Sequence, residues 1–155
     1  MKKFIVIAVL VSMYWVGCYK VEHDPMSGID TMSYNVEDSV VIDSIECMFN
    51  AFSMQESRMA PHAVSPCGTY VGIAQIGPSM IAEANRIAGF EAFNLDDRYD
   101  PMLSLAVFTI VMQHHNPELD IDKAIKIWNH NAPESYRNNV KGYYINELNK
   151  YNQNK

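Results

Sequence analysis

The sequence predicts a mainly α-helical domain with one small irregular, β-like element after its first helix. Three observations carry that prediction. Large apolar residues recur at helical spacing in five stretches between Val41 and Leu148. Proline, glycine, asparagine and aspartate stand at the breaks between those stretches. One segment, His62 to Gly77, has no helical period and is still too apolar for a solvated loop.

The 155-residue chain opens on a targeting signal. Lys2 and Lys3 form a positive n-region, Phe4 to Val11 a short apolar run, and Val16-Gly17-Cys18 resembles a bacterial lipobox, with Trp15 where leucine is more usual. The run is too short for a comfortable membrane span. Residues 1–17 are therefore read as a lipoprotein signal peptide and Cys18 as the lipidated residue; the alternatives are a plain signal peptide or a retained anchor helix. Residues 18–37 are polar, with Pro25 and Gly28 and no periodicity, and read as a flexible tether. Loss of Lys2 and Lys3 takes the formal charge from −6 to −8 with no basic run to offset it, which argues against nucleic acid as a partner.

The folded domain is expected over 38–150, with a polar tail at 151–155. Asp38 or Ser39 is positioned to cap a first helix whose apolar face is Val41, Ile45, Met48, Phe49 and Phe52, and which must stop before Pro61. Tyr70-Val71 and Ile73 to Ile76 supply the β-like segments. Gly77-Pro78 opens a second helix faced by Met80, Ile81, Ala84, Ile87 and Ala88 and closed by Gly89. After a connector, Phe90 to Tyr99, Asp100-Pro101 starts a third helix with Leu105, Phe108 and Met112 inward, ending near Asn116-Pro117. Asp120 caps a fourth, with Ile121, Ala124, Ile125 and Trp128 inward, and Asn131 stands where a left-handed residue would end it. Ser135 or a neighbour begins the last, along Tyr136, Val140, Tyr143, Tyr144 and Leu148.

Glu56 is the residue this arrangement singles out. It lies eleven positions past Ile45, and at helical geometry eleven steps return to within about 20° of the starting direction. The carboxylate therefore falls on the apolar stripe, away from Asp43 and Glu46. There its charged form is poorly solvated and its pKa rises, which is how a general acid stays protonated near neutral pH. The alternative is a salt-bridged helix-end residue, with Arg58 as partner.

Four blocks around Glu56 then occur in a recognisable order: Gln55-Glu56-Ser57-Arg58, Pro61-His62-Ala63-Val64-Ser65, Gly72-Ile73-Ala74-Gln75-Ile76 and Pro78-Ser79. Together they resemble the soluble lytic transglycosylase (SLT) domain of the lysozyme-like superfamily. Asp100-Pro101 is similar to that family's start of the next core helix, Ala124 to Asn131 to its Ala-Tyr-Asn-Ala-Gly segment, and Tyr136 to Val140 to its final Tyr-Val helix. The likeness covers roughly Asp38 to Leu148.

The resemblance implies a lysozyme-like fold and cleavage of the β-1,4 bond between N-acetylmuramic acid and N-acetylglucosamine in peptidoglycan glycan strands. It makes Glu56 the catalytic acid and then the base, giving a 1,6-anhydro product without consuming water or needing a cofactor. No second acid occurs in the motif blocks, whereas hydrolases of this kind pair two carboxylates; Glu83, Asp96 and Asp97 read as solvated surface. Ser57 matches the family serine and reads as shaping the helix end, within the substrate-binding set that also includes Gln75, Trp128, Asn129 and Tyr136. Gln75 would line the cleft floor, or else cap backbone in an apolar loop. Tyr136 would reach toward the acid, or else pack in the core. Trp128 stands where the family has tyrosine and can stack on a sugar. His130-Asn131 replaces Ala-Gly at the rim.

The remaining motifs are sparse. With Cys18 lipidated, Cys47 and Cys67 are left as a candidate disulfide in an oxidising compartment, the alternative being two buried thiols. Adjacent His114 and His115 point about 100° apart on a helix and cannot chelate as an i, i+4 pair, so no metal is expected. Three functions stay open: a lytic transglycosylase, a lysozyme-type muramidase with the same acid, and a peptidoglycan-binding scaffold lipoprotein that has lost turnover. The expected location is the cell envelope, facing the periplasm from a lipid anchor, with the outer membrane as the default. An enzyme there would remodel the wall or open a gap for a secretion or conjugation machine.

Overall fold

The structure, a computed structural model, describes residues 36–153, and side chains from Ser44 onward. The signal peptide at 1–17, Cys18 and nearly all of the expected tether lie outside the described residues, as does the side chain of Val41. Among the described residues there are five α-helices: α1 (Val36–Ser57), α2 (Pro78–Ala88), α3 (Pro101–His115), α4 (Ile121–Trp128) and α5 (Glu134–Gln153). A 3-10 helix, Leu95–Tyr99, joins α2 to α3. No helix among these residues is long and apolar enough to cross a membrane.

The core forms around α3. The sequence predicts one inward face for it, yet Ser104, Ala106, Val107, Phe108, Val111 and Met112 are all buried and Leu105 only partly so. A helix apolar all round belongs inside a domain, and α3 is covered by α1, α2 and the 3-10 helix. Phe108 is its centre, with ring centroids 5.6 Å from Phe49, 5.5 Å from Phe52 and 5.1 Å from Trp128. Helix α1 lies along α5 and buries Ile45, Met48, Phe49, Ala51 and Phe52. Burying each of the four larger side chains stabilises the fold by about 1.5–3 kcal/mol.

Helix boundaries follow the expected chemistry with four corrections. Pro78 opens α2 and Gly89 closes it at φ 79°, and Asp100 caps α3 through the amides of Met102 and Leu103. Helix α1 is already formed at Val36, so Asp38 and Ser39 lie inside it and do not cap it. Helix α4 ends at Trp128 with Asn129 extended at φ −138°, and Asn131 is not left-handed, because the chain leaves the helix through a turn in which the Ala132 amide donates to the Asn129 carbonyl at 3.0 Å. Helix α5 continues through the expected tail to Gln153. The connector holds a capping box between Asn94 and Asp97, which buries Asp97 instead of leaving it in solvent. The β-like element is two isolated antiparallel bridges, Val64 to Val71 and Val71 to Ile76.

Candidate active site

Helix α1 ends beneath a tight loop, and that ending places Glu56. Arg58 and Met59 turn left-handed at φ 58° and 65°, and the Met59 amide donates back to the Ser53 carbonyl at 3.2 Å. The Ser57 hydroxyl donates to the Ile73 carbonyl at 2.6 Å and accepts from the Ala60 amide at 2.9 Å. Ser57 thus pins the loop onto the helix end and is not part of the cleft wall.

The loop itself holds few buried apolar side chains beyond Val71 to Ile76 and relies on polar fastening. Gln75 is left-handed at φ 50°, a conformation costing about 1–2 kcal/mol outside glycine. Its side-chain amide donates to the carbonyls of Ala63 (3.2 Å) and Gly72 (3.0 Å), which offsets that strain. Gly72, at φ 81°, lies so close to the Arg98 carbonyl that a Cβ would sit 1.8 Å from its oxygen. Buried Arg98 donates through Nη1 to the carbonyls of Thr69 (3.0 Å) and Ile76 (3.1 Å), and through Nε to Leu95 (2.6 Å).

These elements enclose a cleft of about 350 Å³ lined by Glu56, Ser65, Tyr70, Gln75, Trp128 and Asn129. Helix α1 supplies the acid, the loop supplies Ser65, Tyr70 and Gln75, and the end of α4 supplies Trp128 and Asn129. Among the described residues on this lining, Glu56 is the one carboxyl. Trp128 is held from behind by Phe52 and Phe108, at 5.8 and 5.1 Å.

Burial pushes the Glu56 carboxyl above the ordinary glutamate value, and a hydrogen bond from Tyr136 pulls part of the way back. The Tyr136 hydroxyl donates to Glu56 Oε1 at 2.5 Å. Burial, then the neighbouring carboxylate, pushes the phenol pKa far up, so Tyr136 remains a donor throughout. Tyr136 is buried at 8 % exposure and meets the acid from behind the cleft lining. Arg58 is turned away, its Nη1 donating to the Tyr143 hydroxyl at 2.6 Å, and Glu56 has no ion-pair partner among the described residues. The salt-bridged alternative for Glu56 therefore falls.

Of the residues expected to bind substrate, Gln75, Trp128 and Asn129 reach the cleft, while Ser57 and Tyr136 position other groups. His130 and Asn131 are exposed and off the lining. Cys47 and Cys67 form no disulfide: Cys47 is buried on α1, and Cys67 is exposed on the loop with Sγ 3.3 Å from Ser65 Oγ. His115 is engaged by Glu83, and among the described residues no group of three His, Cys, Asp or Glu is placed to hold a metal ion. Sequence reasoning missed Ser65, Tyr70 and Arg98. Ser65 stood inside a quoted block, and Tyr70 could have been found as the aromatic beside the glycine turn.

A family model described as the transglycosylase SLT domain matches residues 44–151, most of the chain. No curated protein and no solved structure matches it significantly.

Proposed function

The chain belongs to the transglycosylase SLT domain family, and on that premise we propose that it is a lytic transglycosylase with Glu56 as its one acid and base. Family membership carries transglycosylase-type cleavage of peptidoglycan in the cell envelope. The assignment to Glu56 rests on one observation above the others. It is a partly buried carboxyl on the cleft lining, with a raised pKa and a tyrosine donor on Oε1.

Protonated Glu56 gives its proton to the glycosidic oxygen as the C1–O bond breaks. The carboxylate left behind is stabilised by the Tyr136 hydroxyl. It then takes the proton of the muramoyl 6-hydroxyl as that oxygen bonds to C1, closing the 1,6-anhydro ring. One proton is given and one recovered, and no water enters. A single acid on the lining suits this scheme better than a two-carboxylate hydrolysis. Trp128 offers a stacking face to the strand, and Gln75, with both amide protons engaged, presents its carbonyl oxygen as an acceptor.

The test is a digest of purified peptidoglycan read by mass spectrometry. Wild type should release fragments one water lighter than hydrolytic products, and Glu56→Gln should lose at least ~10²-fold in rate. Reducing, hydrated ends would make the protein a muramidase. Binding without any cleavage by a folded wild type would make it a scaffold. Lys2, Lys3, the run Phe4 to Val11 and Cys18 support a lipid-anchored, periplasm-facing protein. Labelled palmitate should enter wild type and not Cys18→Ala; equal labelling would remove the anchor.

A further inference from the structure

Tyr70 is placed as a binding residue, and its neighbours show how. It lies on the same lining as Glu56, yet it is 49 % exposed and so contributes little to the core. Its backbone is fixed on both sides. The Tyr70 amide donates to Ser65 Oγ at 3.0 Å, and its carbonyl accepts from the Ser65 amide at 2.9 Å. Thr69 before it is held by Arg98, and Val71 after it bridges both Val64 and Ile76.

The ring has a seat as well. Gly77 has φ −87° and ψ 164°, an extended conformation open to any residue, so its backbone does not require glycine. What occupies the space beside it is the Tyr70 ring: a Cβ at position 77 would meet Cε1 at 2.8 Å and Cδ1 at 3.1 Å, so a side chain there would have to shift the ring. An aromatic ring seated in the space a glycine leaves, half in solvent and facing a cleft, is preorganised for a ligand with an apolar face. A pyranose presents such a face through its axial C–H groups.

We propose that Tyr70, seated against Gly77, is a sugar-stacking residue that receives one pyranose of the glycan strand from the loop side of the cleft, while Trp128 offers a second ring from α4. The ring is the recognising group; the hydroxyl is dispensable. This rests on the transglycosylase reading for the identity of the ligand, and it assigns to Tyr70 a role in binding and not in the chemical step.

The experiment measures binding of soluble, peptide-trimmed peptidoglycan glycan strands to Glu56→Gln protein, which removes turnover, and runs cleavage kinetics in the Glu56 background beside it. Tyr70→Ala should weaken binding, and raise KM, on the order of tenfold with kcat changed by no more than about twofold. Tyr70→Phe should restore binding. Gly77→Ala, which pushes the ring from its seat, should weaken binding several-fold when Tyr70 is present and add nothing to Tyr70→Ala. Unchanged binding by Tyr70→Ala overturns the proposal, as does a Phe variant as weak as Ala, or an equal Gly77→Ala effect in both backgrounds. A kcat loss at constant KM overturns it too, since that would make the ring a support for Glu56. A wild type that binds strands without cutting them sinks the transglycosylase reading alone, because the binding comparison does not use turnover.

Discussion

Two glutamates at the edges of two cavities show how differently this fold treats one side chain. Glu56 lies on the cleft of about 350 Å³ between α1, the loop and α4. Glu83 lies on a second cavity, about 320 Å³, lined also by Ser79, Met80, Val111, His115 and Ile127 at the seam of α2 and α3. Burial without a cation pushes Glu56 up, softened only by a neutral tyrosine. Glu83 receives both Arg86 nitrogens at 2.7 Å and His115 Nε2 at 2.6 Å, and these bonds, Arg86 first, hold its carboxyl down at about 2. One cavity favours the protonated carboxyl, and the other holds a charge that is already matched. A carboxyl beside a histidine in a cavity is therefore not by itself a catalytic site; the direction of the pKa shift separates the two.

The largest contrast is expected from exchanging each acid for its amide. Glu56→Gln should abolish cleavage, and Glu83→Gln should cleave like wild type; comparable losses would erase the distinction. Stability follows the same split. The folded pKa of Glu56 lies above its unfolded value, so the wild type loses stability as pH rises from the ordinary glutamate range through the raised value. Glu56→Gln should lack that loss in melting curves taken across the window.

Tyr136→Phe sharpens the cleft side. Removing the donor takes away the contact that lowers the Glu56 pKa, so the acid stays protonated to higher pH than in the wild type. The descending limb of the pH–rate profile should move upward while the rate on its plateau falls, because the nascent carboxylate loses its hydrogen bond. A limb that stays in place would mean that Tyr136 does not tune the acid.

The smallest effect belongs to the seam. Its folded pKa is depressed, so Glu83 contributes stability that is complete above the ordinary glutamate value and is lost as pH falls toward about 2. The group is partly solvated, and Glu83→Gln should cost only about 0.5–1 kcal/mol at neutral pH by denaturant melting. That cost should vanish in strong acid. A difference that persists there would show that the amide disturbs packing and not charge.

The residues that proved legible are those whose placement depends on near neighbours in the chain. Glu56 was found because Ile45, Met48 and Phe52 fix which way its helix faces, and the caps at Asp100, Asp120 and Gly89 follow from local backbone chemistry. The ion pair of Glu83 with Arg86, three residues apart on one helix, is just as local, although the sequence alone reads Glu83 as solvated surface. Two long-range contacts are not: Arg98 reaches the carbonyls of Thr69 and Ile76 beneath the cleft loop, and His115 comes to Glu83 of the second cavity from 32 positions away. Tyr136 meets Glu56 from 80 positions away, and only the family resemblance, not any local pattern, pointed to that contact. The central burial of α3 escaped for the same reason: its sequence is apolar on every side, and periodicity cannot tell which neighbours will cover it.

By itself, then, the sequence determined a helical domain, the acid on its apolar stripe, and a glycine-punctuated loop after it, because each depends on steric and hydrogen-bonding preferences acting over a few residues. Tertiary structure decided the rest. It turned Arg58 to Tyr143, kept Cys47 apart from Cys67, buried Asp97, and set the ring of Tyr70 against Gly77 on the cleft that Trp128 also lines. Those outcomes depend on which distant surfaces exclude water together, and burial raises or lowers a pKa only once that closure has been made.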